Sequence, residues 1–596
     1  MLYNHKVIIL QVLKEVKEKF FVLTLFREAR LSKGTVFFLL LFVAFQMAGT
    51  LYLPTLTANI INNGVVLGDI DYVWDTGLLM LGVAVLTAVF AILSTYFSAG
   101  IATTFAKRTR KRLFSHTQEL SYQDFKHFNT SSLITRATND IEQLQATLGM
   151  FFDMMLPAPF VVIIGLVLAF TRDAYMALII LVSALVFILV FGLMAKAVLP
   201  LFAKVQKGLD QINGTVAQYI SGIRVVRAFN RTKLETERID ESFQSFAKVN
   251  IKINRLFALL MPVILLGMNL AIVAVIWFGG HRINSGDMQI GDITAIIQYS
   301  MNILMYLLMA VFTMVMVPRA RVCAARIREV LDYTPEIVDG KLHLDSSADL
   351  RLEFQNVSFS YQDAENPVLH NLNFVCEKGT TTAIIGGTGS GKSTLARLIP
   401  RLLDTSGGKI LLNGISIKDL PQEELRRKVG FVPQKAFLFS GTIADNLRHG
   451  HEGASLEEMR QVAKVAQADD FISAMEEGYD STVVQGGKNF SGGQRQRLSI
   501  ARMLMKKPDI YVFDDSFSAL DFKTDAALRK ALKEVTGESI VINIAQRIST
   551  IRDAEQIIVL DEGQIVGKGT HEELLRTNEV YLEIAKSQLS EEELGA

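Results

Sequence analysis

Apolar residues are concentrated in long runs before residue 320, and charged segments separate these runs. Each of six runs exceeds the ~20 residues that a helix needs to cross the hydrocarbon core of a bilayer. The runs lie at 35–62, 77–105, 150–171, 175–199, 256–279 and 292–318. The pattern therefore predicts an α-helical six-span transmembrane domain over residues 1–320.

Basic residues are distributed unevenly between the predicted loops. The segments at 106–149 and 200–255 are rich in Lys and Arg, whereas the segment at 63–76 has three Asp and neither Lys nor Arg. Because short loops rich in Lys and Arg stay on the cytosolic side, both basic loops and both termini are expected in the cytosol. With no eukaryotic targeting signal evident, the expected location is a bacterial plasma membrane.

Composition agrees with a membrane protein and argues against nucleic acid as a partner. Half of the 596 residues are hydrophobic and the mean hydropathy is +0.29, which is too apolar for an ordinary soluble enzyme of this length. The net charge is +1 and acids are interspersed in the basic loops, so no nucleic-acid-binding surface is predicted. Cys323 and Cys376 lack the spacing of metal ligands, and no disulfide is expected. The lysines between Lys6 and Lys19, set among apolar residues, predict an amphipathic helix on the membrane surface.

The pattern changes near residue 349. Short β-rich runs such as Leu352–Phe354 alternate with helical segments from there onward, which predicts a cytosolic α/β domain with a mostly parallel sheet. This domain is expected over 349–588, after a linker at 321–348 whose first part continues the last span as a helix. An acidic tail is expected at 589–596.

The segment Gly386–Ser393 has the sequence GGTGSGKS and fits the P-loop pattern G-x-x-x-x-G-K-[ST]. It follows a short apolar strand-like run and precedes a helix-like segment, which is the context in which glycine backbone N–H groups surround phosphate oxygens. Lys392 would contact the β- and γ-phosphates of ATP, and the Ser393 hydroxyl would bind Mg²⁺. The residues predicted to hold the nucleotide here are Gly386, Gly387, Thr388, Gly389, Ser390, Gly391, Lys392, Ser393 and Thr394.

Further candidate residues follow the P-loop in a fixed order. The Gln434 amide is placed to contact Mg²⁺ and the γ-phosphate. The segment Ser491–Gln494 (SGGQ) opens a helix whose N-terminus can bind phosphate. Asp514 and Asp515 end an apolar strand and suit Mg²⁺ and a catalytic water. Asp521 follows in the segment Ser518–Asp521 as a further candidate catalytic residue.

These motifs together resemble the cassette of an ATP-binding-cassette (ABC) transporter, and six spans followed by one cassette resemble an exporter half-transporter. The segment Gly222–Phe229 is similar to part of the second cytosolic loop of such exporters. The resemblance therefore covers nearly the whole chain. It implies coupling helices in the two cytosolic loops, near 122–128 and 209–217.

The resemblance also implies that two cassettes close head-to-tail around two ATP molecules. Each site would combine the P-loop of one chain with the SGGQ signature of the other, so that Ser491, Gly492, Gly493 and Gln494 would act on the ATP of a partner. It implies that Ser393, Gln434 and Asp514 hold Mg²⁺. Tyr361 would stack on adenine, although a strand tyrosine that only packs on a neighbour is the alternative.

The chain departs from the family pattern at functional positions. Asp515 stands where a hydrolysing site usually has Glu, and Gln546 stands where the switch segment Ile544–Thr550 usually has His. Gln485 and Phe490 replace Glu and Leu near the signature. Asp is one methylene shorter than Glu, and Gln cannot carry a proton as His can. These changes predict the slowly hydrolysing subunit of a heterodimeric, multidrug-type exporter, and an active homodimer is the alternative.

The sequence says less about cargo. Asp153 is an acid in or near the third span, where it is either functional or interfacial. Met301, Met305 and Met309 recur at helical spacing and suit either an adaptable cavity or ordinary packing. The expected partners are membrane lipid and a small hydrophobic or amphipathic compound. Two other classes stay open, namely an ATP-binding regulatory subunit without transport and a channel or importer; the fusion of spans and cassette disfavours the last.

Overall fold

A computed structural model describes residues 32–345, 349–361 and 364–589. The predicted surface helix at the N-terminus and nearly all of the acidic tail lie outside these residues. The chain forms two compact units. The first unit comprises the residues up to Gln118 together with Phe128–Tyr333. The second comprises Glu119–His127 and the residues from Thr334 onward.

Long helices make up the first unit. The helices up to Leu331 are α1 Lys33–Asn59, α2 Ile70–Glu119, α3 Tyr122–Phe128, α4 Thr130–Thr135, α5 Ile141–Met150, α6 Pro157–Arg172, α7 Ala174–Ser221, α8 Ile223–Ala228, α9 Thr232–Asn284 and α10 Ile290–Leu331. Of these, α3 belongs to the second unit except for its last residue. π-Helical turns at Arg136–Asp140 and Phe151–Met155 join α4, α5 and α6 into one continuous stretch. Within the described residues, six helical stretches are long and apolar enough to cross a membrane. The predicted six-span domain is therefore confirmed.

Several helices are much longer than a bilayer core. The 50 residues of α2 correspond to about 75 Å at the usual rise of an α-helix, against about 30 Å of hydrocarbon. Leu81, Val85 and Ile92 on this helix are more than half exposed within the chain. Apolar side chains exposed in this way are suited to contact with lipid. The backbone is compatible with the same environment, because an α-helix satisfies its own hydrogen bonds in a bilayer.

The second coupling helix does not lie at 209–217 as predicted. These residues are an uninterrupted part of α7, which continues to Ser221. The chain turns at Gly222, with φ −91° and ψ 7°, and a short separate helix, α8, follows. The prediction was wrong because 209–217 contains no proline, and Gly214 alone does not break a helix that is continuous on both sides. The predicted first coupling helix coincides with α3.

A polar cluster joins three membrane helices within the first unit. The Arg172 guanidinium contacts Asp292 Oδ1 at 3.0 Å and donates to Asn59 Oδ1 at 2.8 Å. Asn62 Oδ1 accepts from the N–H of Gly291 at 2.7 Å. The ends of α1, α6 and α10 are therefore linked by charged and amide groups at the loops that the charge pattern assigns to the outer side.

The second unit has the predicted α/β fold. Its strands are β1 Arg351–Phe359, β2 Leu369–Glu377, β3 Thr381–Ile385, β4 Gly407–Leu412, β5 Ile415–Ser416, β6 Val429–Val432, β7 Gly441–Thr442, β8 Thr482–Val483, β9 Ile510–Asp514, β10 Ile540–Ile544, β11 Gln556–Asp561 and β12 Gln564–Gly569. The larger sheet has the order β12–β11–β3–β10–β9–β6, and only β12 runs antiparallel to its neighbour. A second, antiparallel sheet has the order β2–β1–β4–β5.

Helices complete this unit. They are α11 Lys392–Leu398, α12 Gln422–Lys428, α13 Ile443–Arg448, α14 Leu456–Val465, α15 Asp469–Ser473, α16 Gly492–Met505, α17 Phe522–Val535, α18 His571–Thr577 and α19 Glu579–Lys586. β9 and the inner residues of β10 are buried on both faces, as expected for central parallel strands. In such sheets ligands bind beyond the carboxyl ends of the strands, and the predicted site residues follow β3, β9 and β10.

Candidate functional site

Three neighbouring strands bring the predicted nucleotide residues to one edge of the sheet. β10 pairs in parallel with β3 on one side and β9 on the other, so that Ile544 lies beside Ile384 and Asp514. The P-loop follows β3, the acidic pair ends β9, and the switch segment begins at the end of β10. Residues separated by up to 160 positions in sequence thus meet at one site.

The P-loop glycines are required by both conformation and space. Gly389 and Gly391 have φ of +89° and +95°, in the left-handed region that side chains disfavour. A Cβ on Gly386 would lie 1.9 Å from the carbonyl oxygen of Leu560, and one on Gly391 would lie 2.5 Å from a Leu369 methyl. A side chain at Gly386 or Gly391 would clash with these neighbours, so the curved backbone of the loop requires glycine at both positions.

Lys392 is folded into this curve. Its Nζ donates to the carbonyl oxygens of Gly386 at 2.8 Å and Gly387 at 2.6 Å, and to Ser390 Oγ at 3.3 Å. Burial lowers the pKa of Lys392, and the nearby Asp515 and Asp514 act in the opposite direction. The ammonium contacts only neutral acceptors in the loop, so an anionic phosphate would be a stronger partner.

Ser393 and Asp514 form the oxygen pair expected for Mg²⁺. The Ser393 hydroxyl donates to Asp514 Oδ1 at 2.8 Å. Burial raises the pKa of Asp514, and the hydrogen bond from Ser393 opposes this effect. A hydroxyl and a carboxylate, completed by phosphate oxygens, match the hard oxygen ligands that Mg²⁺ prefers. Ser393 and Asp514 therefore fit the ion. Gln434, the third predicted Mg²⁺ ligand, instead donates its amide N–H to Asp515.

Asp515 directly contacts Gln546, the altered residue of the switch segment. Its Oδ2 accepts hydrogen bonds from Gln434 Nε2 and from Gln546 Nε2, each at 3.0 Å. The residue is 9% exposed, and its backbone has φ of +49°. The Asp515 N–H donates to the carbonyl oxygen of Ile544 at 2.8 Å, which fixes the strand end to the start of the switch segment. The short carboxylate is thus held at the site by two amides.

The signature begins α16 in the manner predicted. Ser491 Oγ accepts from the N–H of Gln494 at 3.2 Å, and Gln494 Oε1 accepts from the N–H of Ser491 at 2.9 Å, which forms a capping box. A Cβ on Gly493 would lie 3.1 Å from the carbonyl oxygen of Ala519. Glycine at 493 therefore allows the signature to approach the segment that leads to Asp521.

Asp521 has a structural role in the chain. It caps α17 by accepting from the N–H of Thr524 at 2.9 Å. This backbone hydrogen bond, with the Thr524 side chain, lowers the pKa of Asp521. Its assignment as a catalytic residue stays a prediction.

The predicted adenine residue has a neighbour that the sequence did not suggest. The Tyr361 hydroxyl hydrogen-bonds Thr394 Oγ1 at 3.1 Å, and the Lys126 ammonium lies 5.5 Å from the centre of the Tyr361 ring. The Arg397 guanidinium lies 5.5 Å from the ring of Tyr122. Residues 119–127 belong to the second unit, so the segment that follows α2 provides two side chains beside this part of the site.

Two further residues act on the switch segment and were not predicted. Arg547 Nη2 donates to the carbonyl oxygen of Ser518 at 3.2 Å, and Gln588 hydrogen-bonds the backbone of Gln546 and Ile548. Neither has a local sequence signal, because each contact joins residues far apart in the chain.

The candidate cargo residues in the spans do not line the apolar cavity of the membrane helices. Asp153 lies exposed in the π-helical turn Phe151–Met155. A cavity of about 350 Å³ is lined by apolar side chains of α7 and α9 and by Leu304 of α10. Met301, Met305 and Met309 are not among the lining residues. The cavity is instead formed largely by branched aliphatic and Phe side chains.

Comparison with known proteins agrees with this geometry. Residues 36–308 match the ABC transporter transmembrane region, and residues 369–518 match the ABC transporter family. An uncharacterised ABC transporter ATP-binding protein of Mycobacterium tuberculosis is 40% identical over 546 residues, which cover 90% of this chain and 93% of the relative. An ATP-dependent lipid A-core flippase of Syntrophus aciditrophicus is 32% identical over 82% of this chain and 81% of its own length.

A solved structure shares the whole architecture. A bacterial Atm1-family ABC exporter with ATP bound superposes with a TM-score of 0.79 at 25% identity, covering 94% of this chain and 99% of that one. The six spans, the P-loop and signature geometry, and the extent of these matches lead to one assignment. The chain belongs to the ABC transporters, as an exporter half-transporter in which a six-span membrane domain is fused to one ATP-binding cassette.

Proposed function

We propose that this chain is the slowly hydrolysing subunit of a heterodimeric ABC exporter in the plasma membrane, with both termini in the cytosol. ATP would bind with Mg²⁺ at its own P-loop and turn over slowly there. Its signature, Ser491–Gln494, would complete a competent site on a partner chain that has Glu and His at the two altered positions. The single observation that carries the proposal is the contact of both Gln434 and Gln546 with Asp515 Oδ2.

Slow hydrolysis would follow from the position of the Asp515 carboxylate and from the hydrogen bonds that it already accepts. The Asp515 carboxylate lies about one C–C bond length closer to the backbone than a Glu carboxylate would. A misplacement of ~1 Å can lower a rate on the order of 100-fold. Two amide donors already occupy one oxygen of this carboxylate, so fewer lone pairs remain to orient a water molecule. Gln546 can donate a hydrogen bond to phosphate, but it cannot carry the positive charge of a protonated His.

The intact signature supports a role in a dimer. The capping box of Ser491 and Gln494 fixes the first turn of α16, a 14-residue helix. Such a helix end stabilises an anion.

The proposed cargo is a hydrophobic or amphipathic compound. The described lining of the cavity between α7, α9 and α10 is almost entirely apolar, and the hydroxyl of Ser183 in this lining already donates to the carbonyl oxygen of Ile179 at 2.8 Å. A site without free polar groups favours apolar surface over charge. The flippase relative, whose name refers to lipid A-core, is consistent with this class of cargo.

The test is the ATPase rate of the purified chain alone. The expected rate is close to that of the Lys392→Ala variant, in which the phosphate-binding ammonium is removed. A rate typical of exporters that Lys392→Ala abolishes would contradict the proposal and favour an active homodimer. A second measurement uses inverted vesicles that contain the chain and its partner. ATP-dependent accumulation of a dye in these vesicles would indicate export. Nucleotide binding without accumulation would favour a regulatory subunit.

A further inference from the structure

The side chain of Gln588 holds the backbone of the switch segment. Its Nε2 donates to the carbonyl oxygen of Gln546 at 2.8 Å, and its Oε1 accepts from the N–H of Ile548 at 2.9 Å. One primary amide thus provides both a donor and an acceptor to two peptide groups that lie two residues apart. The amide suits this pair of contacts because its donor and its acceptor are separate atoms held in one plane.

Gln588 is presented by a firmly attached helix. It lies just beyond α19, whose Tyr581 is fully buried and hydrogen-bonds His571 at 2.7 Å. Asn578 caps α19 by accepting from the N–H of Tyr581 at 2.8 Å, and its amide donates to the backbone of β12 at 2.8 Å. Leu589 packs against the buried cluster beneath the switch segment. The amide of Gln588 is therefore held from both sides, by the helix before it and by the packed residue after it.

The switch segment connects this contact to the nucleotide site. Gln546, whose carbonyl oxygen accepts from Gln588, uses its own side chain to contact Asp515 at 3.0 Å. The position of the Gln546 backbone determines whether its side chain reaches Asp515 and the adjoining phosphate-binding edge. A shift of the segment by about 1 Å would break a hydrogen bond of this length.

We propose that Gln588 is a positioning residue for the nucleotide site. It fixes the switch segment so that Gln546 stays at Asp515, and the C-terminal segment thereby sets how long ATP remains on the P-loop of this chain. The inference requires only that the P-loop binds ATP. It does not depend on slow hydrolysis or on a different partner chain, so its failure and that of the proposed function are distinguishable.

The experiment uses the full-length chain in lipid nanodiscs with Mg²⁺ and a fluorescent ATP analogue. The dissociation rate is measured after addition of excess unlabelled ATP. Gln588→Ala removes both contacts, whereas Gln588→Glu keeps the size and the acceptor but loses the donor. Gln461→Ala, on the exposed face of α14, is the matched control.

The first two variants are expected to release the analogue about threefold to tenfold faster, as the loss of one hydrogen bond predicts. The control is expected to release it at the wild-type rate. Gln546→Ala should also release the analogue faster, and adding Gln588→Ala to it should have no further effect, because Gln588 acts through Gln546. Without nucleotide, Gln588→Glu should lower the midpoint of thermal unfolding only by the amount expected from one lost hydrogen bond.

Three results would overturn the proposal. The first is a wild-type release rate in Gln588→Ala or Gln588→Glu. The second is an effect of Gln588→Ala that adds fully to that of Gln546→Ala, which would indicate an independent route. The third is faster release accompanied by a loss of thermal stability in the nucleotide-free chain well beyond that of one or two hydrogen bonds, since this would indicate general destabilisation.

Discussion

Gln546 donates its side-chain amide to Oδ2 of Asp515 at 3.0 Å. Two of the positions at which the chain departs from the ABC family pattern, those of the catalytic acid and the switch histidine, are therefore in direct contact. Each substitution would be modest by itself, since Asp is still a carboxylate and Gln still donates a hydrogen bond. Their contact couples the two substitutions, because the Gln546 amide donates a hydrogen bond that the shorter Asp515 carboxylate accepts.

Restoring both family residues should restore turnover. We expect Asp515→Glu with Gln546→His to raise the ATPase rate of the purified chain on the order of 100-fold, because the carboxylate moves outward by about one bond length. Each single substitution should have a smaller effect, and the two effects should not add, since the residues share a contact. Phosphate release measures the rates.

Adding Lys392→Ala to the double variant provides the control and should abolish the gain. A double variant that stays at the background rate would show that the altered residues do not limit hydrolysis.

Ser491 should matter to the partner's site in a way that another helix-capping serine does not. In a complex with a hydrolysing partner chain, Ser491→Ala should lower ATP hydrolysis by about tenfold to hundredfold, as the loss of a hydrogen bond to a charged group predicts. Steady-state phosphate release by the purified complex measures this.

Ser455→Ala is the matched control, because Ser455 forms the same capping box at the start of α14. Both variants should lose similar stability, about 1 kcal/mol, but only Ser491→Ala should lose activity. Equal activity in the two variants would rule out a trans role for the signature.

The polar cluster at the ends of the membrane helices should contribute strongly to stability. Asp292→Ala leaves the Arg172 guanidinium, which is 21% exposed, without its ion pair and removes a helix cap from α10. Breaking a buried pair in this way costs about 3–5 kcal/mol. Thermal unfolding in detergent, followed by Trp fluorescence, should therefore shift to lower temperature; both tryptophans, Trp74 and Trp277, lie in the first unit.

Asp287→Ala provides the comparison, since Asp287 also pairs with an arginine but is 48% exposed. Its loss should cost at most about 1 kcal/mol. Similar shifts for the two variants would contradict the role assigned to burial.

His571 should make the stability of the cassette depend on pH. Burial, with a smaller contribution from Arg552, lowers the pKa of His571 below its ordinary value. As pH falls through about 6.5, the unfolded chain takes up a proton that the folded chain does not, so stability decreases toward acid pH. We expect His571→Gln to reduce this decrease, measured as the unfolding midpoint by circular dichroism at neutral and mildly acidic pH.

The exposed His451 supplies the control, and His451→Gln should leave the decrease unchanged. An identical pH profile for wild type and His571→Gln would contradict the prediction.

Local patterns were sufficient for the spans, the P-loop and the signature, because each depends on residues that are close in sequence. Hydropathy over ~20 residues identifies a span, and the positive φ of Gly391 requires glycine wherever the loop occurs. The antiparallel sheet was not predicted separately, because its strands have the same apolar alternation as those of the parallel sheet.

Contacts between distant, exposed residues could not be predicted. In the sequence Lys126 is one of many basic residues in the segment 106–149, yet it lies beside Tyr361, and nothing in the local sequence marks Gln588. The second coupling helix was misplaced for a related reason. A polar stretch such as 209–217 looks like a loop in hydropathy, but nothing in its backbone chemistry ends α7 before Gly222.

The pairing of Asp515 with Gln546 also has an evolutionary consequence. Codons for Asp and Glu differ only in the third base, and so do codons for Gln and His. Under the proposed function, a lineage could therefore pass between symmetric and asymmetric dimers by a pair of point mutations, with the surrounding sheet and loop left intact.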